Sequence, residues 1–258
     1  MARNHRAHWL LRVRPALLGS FLKRLLRVQR RVIETDHGRF FADPASIFGN
    51  ALVSATGYEP DLANTIRHLL QEGDTFIDVG ANEGYFSILS SKCVGRSGKV
   101  VCIEPQSRLQ SVISRNMAEN NARNITLFQM AISDHVGVAT LSLVPDMNTG
   151  ASGLFRATRY RVPTELVPQT TLSRLLSLLN VGDVKLMKID IEGLEYEAIL
   201  GSKELFSGGK IRHIALELHP TLLASRGKSG DDILDFLASV GYERNTGCKT
   251  LVLSKITA

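Results

Sequence analysis

Two rhythms of apolar and polar residues alternate along this 258-residue chain. Short, nearly continuous apolar runs predict strands at 75–79, 99–104, 125–130, 138–143, 184–189, 211–218, 241–245 and 249–254. Helix-periodic stretches fill much of the space between them. Tyr58-Glu-Pro60 leads into one that places Leu62, Ile66, Leu69 and Leu70 on one side and closes at Gly73. Another, over 106–121, aligns Leu109, Val112, Ile113 and Met117. A third, over 230–239, opens at Ser229 with Asp232 three residues on, turns Ile233, Leu234 and Leu237 inward, and stops at Gly241. Strands that alternate with helices predict an α/β fold around a parallel sheet. The last two runs, with a turn at Gly247 between them, predict a closing antiparallel hairpin.

Three segments fall outside this rhythm. Residues 1–31 form a basic arm in which Leu18, Phe21, Leu22, Leu25 and Leu26 recur at helical spacing, opposite Lys23, Arg27, Arg30 and Arg31, with Pro15 suited to a first turn. Residues 32–72 form a cap segment and helix: Val32-Ile33 and Arg39-Phe-Phe41 around Asp36-His-Gly38 predict a hairpin, placed over the ligand site or the sheet edge. Residues 73–258 form the main domain. Within it, 144–170 is an irregular insertion, small and polar at Asn148–Gly153 and basic at Arg156, Arg159 and Arg161 beside Tyr160. An insertion of that length reads as a lid over the site, and its arginines suit an acidic acceptor.

Composition narrows the classes. Apolar residues make up 44% of the chain, enough for a sheet covered on both faces. Nine of the 31 Lys/Arg lie in residues 1–31, which hold no acid, leaving 22 to set against the 25 Asp/Glu of the rest. The net charge of +6 therefore belongs to the arm, and the body offers no basic groove for nucleic acid. Three readings of the arm stand: a helix packed on its own domain or on a second subunit of a homodimer, a helix on an anionic membrane surface, or a cleaved targeting peptide. No apolar stretch reaches a membrane-spanning length, so the expected location is the cytoplasm, with the membrane surface within the arm's reach. Cys93, Cys102 and Cys248 lack metal spacing and read as core thiols. No His-x-x-x-His pair suggests zinc.

The candidate chemistry lies at the strand ends. Thr75-Phe-Ile-Asp-Val-Gly80 is an apolar run that ends in Asp78 and a Gly80-x-x-x-Gly84 turn, then passes straight into a helical pattern. Lys99-Val-Val-Cys-Ile-Glu104 ends in an acid 20 residues after Gly84. An acid at that distance accepts hydrogen bonds from ribose hydroxyls, and the order of turn, helix and acid points to an adenosine-type ligand. Asn82 stands where a dinucleotide fold prefers glycine, and Asp78 repels phosphate. S-Adenosylmethionine, which is cationic and lacks phosphate, fits this charge pattern better than a nicotinamide dinucleotide.

Three blocks in order then carry a resemblance: Asp78-Val-Gly-Ala-Asn-Glu-Gly-Tyr-Phe-Ser87, Ile103-Glu-Pro105, and Lys188-Ile-Asp-Ile-Glu-Gly-Leu-Glu195. Over roughly residues 57–245 the chain resembles the FkbM family of S-adenosylmethionine-dependent methyltransferases. The resemblance implies a Rossmann-like class I methyltransferase fold, with a mostly parallel seven-stranded sheet, a C-terminal antiparallel hairpin and helices on both faces. It also implies O-methylation of a hydroxyl, on a sugar, glycan or natural-product small molecule. It places an acid at the end of the strand that carries Glu217.

Under that reading Asp78, Gly80, Asn82 and Gly84 serve the methionine end of the cofactor, Glu104 serves the ribose, and Ala81, Phe86 and Pro105 also belong to the cofactor site. Ala131, Ile132 and Ser133, with Asp134 as an alternative to Ser133, meet the adenine. Asp190, Glu192, Glu217 and His219 are the catalytic candidates, with Lys188 moderating their charge. The alternative for Asp190 is an N-cap for a helix over 193–200, and for Glu192 simple complementation of that helix's dipole. Asp190 and Glu192 could instead share a proton, contact the cofactor's amino group, or hold a divalent cation. A non-catalytic membrane-attached module of the same fold and a nicotinamide-dependent oxidoreductase are the competing functions.

Overall fold

The structure, a computed structural model, describes residues 11, 13, 21–23, 25–54, 57–144, 146–154, 162–246 and 250–256. Expectations for Pro15, Leu18, Arg156, Arg159, Tyr160, Arg161, Gly247 and Cys248 lie outside them. The chain opens with β1 (Arg31–Thr35), β2 (Gly38–Ala42), α1 (Ile47–Leu52) and α2 (Pro60–Leu69). It continues through β3 (Thr75–Val79), α3 (Tyr85–Val94), β4 (Lys99–Ile103), α4 (Ser107–Glu119) and β5 (Ile125–Phe128). Next come β6 (Ala131–Ile132), β7 (Gly137–Ser142), a 3-10 turn (Asp146–Ala151), β8 (Thr164–Thr170), α5 (Leu172–Leu178) and β9 (Val184–Ile189). It ends with α6 (Glu195–Leu200), α7 (Lys203–Ser207), β10 (Ile211–Leu216), α8 (Pro220–Ala224), α9 (Gly230–Ser239), β11 (Tyr242–Arg244) and β12 (Val252–Lys255).

The central sheet has seven strands in the order β11-β12-β10-β9-β3-β4-β5. The five from β10 to β5 pair in parallel, and β12 joins β10 and β11 antiparallel. Strand residues alternate between two cores, as a sheet buried on both faces requires. Phe76, Val100 and Leu186 join α2, α3 and α4 on one face. Ile77, Val101 and Met187 join α5, α6 and α9 on the other. Register sets Asp78 beside both Cys102 and Lys188.

Three expectations need correction. The run at 138–143 is not in the central sheet: β7 pairs with β8, and β6 with β8, in a separate three-stranded sheet. The insertion read as irregular contains β8, which escaped notice because Pro168 interrupts it and Leu166 faces solvent. The hairpin β1–β2 forms as expected, with Thr35 paired to Gly38, but it covers helices rather than the ligand cavity. Phe40 enters the core against Tyr85, and the backbone of β2 is pinned to α4 by Asn116.

Asn116 is fully buried. Its Oδ1 accepts from the Phe41 amide at 2.6 Å, and its Nδ2 donates to the Glu83 carbonyl at 2.9 Å. Asn116→Ala leaves both backbone groups without partners, so urea unfolding should show a loss of about 2–4 kcal/mol. A loss below about 0.5 kcal/mol would mean that this bridge contributes little to the fold.

Candidate functional site

The carboxyl ends of β3, β4, β9 and β10 converge on one cavity, as expected where strand order reverses in an open parallel sheet. Gly80 has φ +82°, and a Cβ there would stand 1.8 Å from the Asp190 carbonyl oxygen, so only glycine lets the turn after β3 pass the end of β9. The amides of Gly80 and Ala81 both donate to the Ile103 carbonyl at 3.0 Å, and that of Gly84 donates to Ala81 at 2.8 Å. The Asn82 amide donates to Glu104 Oε2 at 2.7 Å. The amides that a diphosphate would need in this turn are therefore already committed.

A cavity of about 240 Å3 lies against this turn. Of the expected site residues, Gly80, Asn82, Glu104, Pro105, Ala131, Ile132, Asp190, Glu192 and Glu217 line it. The insertion lines it too, through Asn148 and Gly150–Leu154. Thr149 Oγ1 donates to Asn82 Oδ1 at 2.8 Å, and Gln106 Nε2 reaches the Thr149 carbonyl at 3.1 Å. Glu104 is buried at the cavity wall, and its Oε1 accepts from the Gln106 amide at 3.0 Å. Burial pushes its carboxyl up to about 7, against the pull of the Gln106 and Asn82 hydrogen bonds.

Six expected residues sit elsewhere. Gly84 caps α3, where a Cβ would crowd Ile113 at 3.1 Å. Ala81 and Phe86 are buried in the core cluster that holds α3. Ser133 lies behind the wall, and its alternative Asp134 faces solvent, paired with His135 at 2.6 Å. His219 stands outside the cavity wall but reaches two residues that form it. Asp78 is completely buried and takes no part in the lining. Its Oδ2 accepts from Ser87 at 2.7 Å and its Oδ1 lies 3.4 Å from Lys188 Nζ. The acid at the end of β3 is thus the counterion of a buried lysine.

Lys188 organises the floor. Its Nζ donates to the Gly80 carbonyl at 2.7 Å and lies 3.5 Å from Asp190 Oδ2. Burial alone would lower its pKa, but Asp190, Asp78 and Glu59 outweigh that and raise it. Asp190 does not cap a helix, because α6 begins at Glu195 with Leu194 at its cap. Glu192, in the left-handed region at φ +51°, and Glu217 complete the acidic wall. Burial raises the Glu217 pKa, and Asp190 raises it further. His219 Nε2 lies 3.9 Å from Asp190 Oδ1 and 3.8 Å from Glu192 Oε2. Burial lowers its pKa, yet the hydrogen bond it donates to Glu195 and the charges of Glu195, Glu192 and Asp190 push it up to about 9.

Sequence reasoning missed Glu59. It precedes Pro60 at the start of α2 with φ +40°, and it lines both this cavity and a neighbouring one of about 430 Å3. Tyr58 anchors it, with ring centroids 5.0 Å from Phe48 and 5.2 Å from Tyr85. The signal that could have found it is Pro60, which keeps residue 59 out of the right-handed helical region. Glu59, Asp190 and Glu217 form the wall shared by the two cavities.

The sequence profile of the Methyltransferase FkbM domain matches residues 78–244. The chain belongs to the FkbM methyltransferase family. No curated protein sequence matches it at a significant level. Among solved structures, a methyltransferase FkbM from Methylobacillus flagellatus is 16% identical, with 74% of this chain and 50% of that one covered and a TM-score of 0.44. A precorrin-6y C5,15-methyltransferase from Geobacter metallireducens is 15% identical, with coverage of 78% and 90% and a TM-score of 0.45. An S-adenosylmethionine-dependent O-methyltransferase from Thermotoga maritima is 13% identical, with coverage of 89% and 79% and a TM-score of 0.44.

Within this FkbM domain, Lys188→Met strips the cation from two carboxylates, one of them fully buried. Denaturant unfolding should show a loss of about 3–5 kcal/mol, partly recovered when Asp78→Asn is added. An effect of Asp78→Asn that is the same in the wild type and in Lys188→Met would show that Asp78 and Lys188 are not coupled.

Proposed function

We propose that this FkbM-family chain transfers a methyl group from S-adenosylmethionine to a hydroxyl of a sugar, glycan or natural-product acceptor. One observation carries the reading: two cavities share the wall Glu59, Asp190 and Glu217, and only the first extends to Glu104. The first cavity fits the cofactor. Glu104 stands in the cavity wall as an acceptor for ribose hydroxyls, Ile132 and Met130 supply an apolar surface for a base, and the acidic end suits a cation. The committed turn amides and the acidic wall suit neither the diphosphate nor the oxidoreductase reading that needs it. Bound in this cavity, S-adenosylmethionine supplies a methyl group on a positively charged sulfur.

The second cavity then takes the acceptor, presenting Glu59, Asp61, Asp190 and Glu217 with, among the described residues, one cation, Lys188. Such a wall favours hydroxyl donors and disfavours anionic groups. Asp190 reaches both cavities from the rigid end of β9, so it accepts the proton of an acceptor hydroxyl on its carboxylate. His219 stands behind it and stabilises the charge there. As for the finer expectation of a divalent cation, the closest group of donors is Asp190, Glu217 and His219, whose donor atoms lie within 4.8 Å of one another. Glu192 is not among them.

Both Glu104 oxygens accept from ribose hydroxyls, and do so most strongly, only when the carboxyl is ionised, and burial raises its pKa to about 7. Calorimetric affinity for S-adenosylhomocysteine should therefore be full near pH 8.5 and fall toward tenfold per pH unit below about pH 7. Glu104→Gln should bind weakly and without that pH dependence, and a pH-independent wild type would remove the ribose assignment. Tritiated S-adenosylmethionine, incubated with a polysaccharide-bearing extract, should label a glycan or small-molecule fraction. Asp190→Asn should slow that labelling at least about 100-fold while weakening S-adenosylhomocysteine less than Glu104→Ala does. Tight cofactor binding with no labelling by the wild type would favour the non-catalytic module instead.

A further inference from the structure

Glu195 is a fully buried acid that the methyl-transfer reading leaves without a role. It is the first residue of α6, where a carboxylate complements the helix dipole, and its Oε1 also accepts from the amides of Gly193 at 3.0 Å and Ile191 at 3.4 Å. That much is local: the acid folds the turn that carries Glu192. The same oxygen, however, lies 2.9 Å from Nδ1 of His219, which sits 24 residues away at the end of the neighbouring strand. A carboxylate oxygen can only accept, so Nδ1 carries a proton in this pair. Nε2 is then the ring atom left to face Asp190 Oδ1 and Glu192 Oε2, at 3.9 and 3.8 Å. Those two distances exceed a hydrogen bond, so the ring is held by Glu195 and not by the cavity acids.

Two features keep this arrangement in place. Gly193 has φ +96°, and a Cβ there would meet Leu222 of α8 at 2.9 Å, so the turn packs directly on the helix that follows His219. Arg226 Nη1 donates to the Gly193 carbonyl while its Nη2 pairs with Glu197. The turn and the imidazole therefore move together or not at all.

We propose that Glu195 is a positioning residue for methyl transfer: by accepting from Nδ1 it orients His219 so that Nε2 faces Asp190, the proton acceptor. An orienting carboxylate behind an imidazole keeps Nδ1 protonated and fixes the rotation of the ring, and mutation of comparable partners behind metal-bound histidines costs about 10–100-fold in activity. The catalytic consequence rests on the proposed function, whereas the orientation itself does not.

The test uses the full chain with its histidines labelled with nitrogen-15. Two-bond correlation spectra report which ring nitrogen is protonated, and His219→Gln identifies the signal. The wild type should show a protonated Nδ1 whose proton exchanges slowly with water. Glu195→Gln should lose the slow exchange, and Glu195→Asp should regain part of it. In the labelling assay Glu195→Gln should lower kcat about 10–100-fold and leave the KM for S-adenosylmethionine within about twofold. An unprotonated Nδ1 in the wild type overturns the proposal without any Glu195 variant having to fold. So does an unchanged kcat in a Glu195→Gln protein that has lost the Nδ1 signature. Absence of wild-type turnover beside an intact signature would overturn the methyl-transfer role of Glu195 and the proposed function, and leave only the orienting contact.

Discussion

A single buried ammonium governs the geometry of the site. Lys188 Nζ sits between a fully buried Asp78 and the half-exposed Asp190, and donates to the Gly80 carbonyl. Removing that charge from water costs several kcal/mol, which one carboxylate alone would not offset in so dry a position. Two carboxylates and a carbonyl do, and they come from three separate places: the end of β3, the turn beyond it, and the end of β9. The ammonium is thus a three-way tie across the point where strand order reverses. The face of Phe86, 5.8 Å away, closes the remaining side. The spacing of the tie leaves no room for a Cβ at residue 80, so the glycine and the lysine form one constraint.

From that tie the charge layout follows. Asp190 is drawn to the floor between the cavities, and Glu59, Glu192 and Glu217 surround it, with His219 and Lys188 as the cations nearby among the described residues. Glu104 lies at the far end of the first cavity, held by amides and a glutamine amide rather than by a cation. Acids thus stand at both ends, and the turn's backbone donors face inward. A ligand that is cationic at one end and rich in hydroxyls at the other matches such a surface, and a polyphosphate does not.

Much of this was legible because parallel strands announce themselves. The runs ending in Asp78, Glu104 and Asp190 mark strand ends, and the order of the blocks determines which ends adjoin. What the runs do not reveal is which way a side chain turns. Asp78 reads as a ligand contact in sequence and is a counterion in space, because only the pairing of β3 with β9 brings Lys188 beside it. Glu59 depends on aromatic packing among Tyr58, Phe48 and Tyr85, three segments far apart in sequence. Glu195 looks like a helix-start acid until β10 delivers His219. Strand β8 fails the alternation test because its outward positions include Leu166 and Pro168.

The basic arm completes the argument about charge. Its excess of cations reads as a surface for anions, yet two of the described ones turn inward. Lys23 pairs with the buried Asp43, and Arg30 with the buried Glu83 at 2.6 Å. Burial raises the Glu83 pKa, and Arg30 opposes that by holding it as a carboxylate. Glu83 belongs to the glycine turn, so the arm braces the turn from behind while Lys188 holds it from within. Leu22 and Val28 pack with Ala45, whereas Phe21, Leu25 and Leu26 stay exposed. Within residues 21–30, one side of the arm is therefore already committed to this domain, and those three apolar residues lie exposed with Arg27.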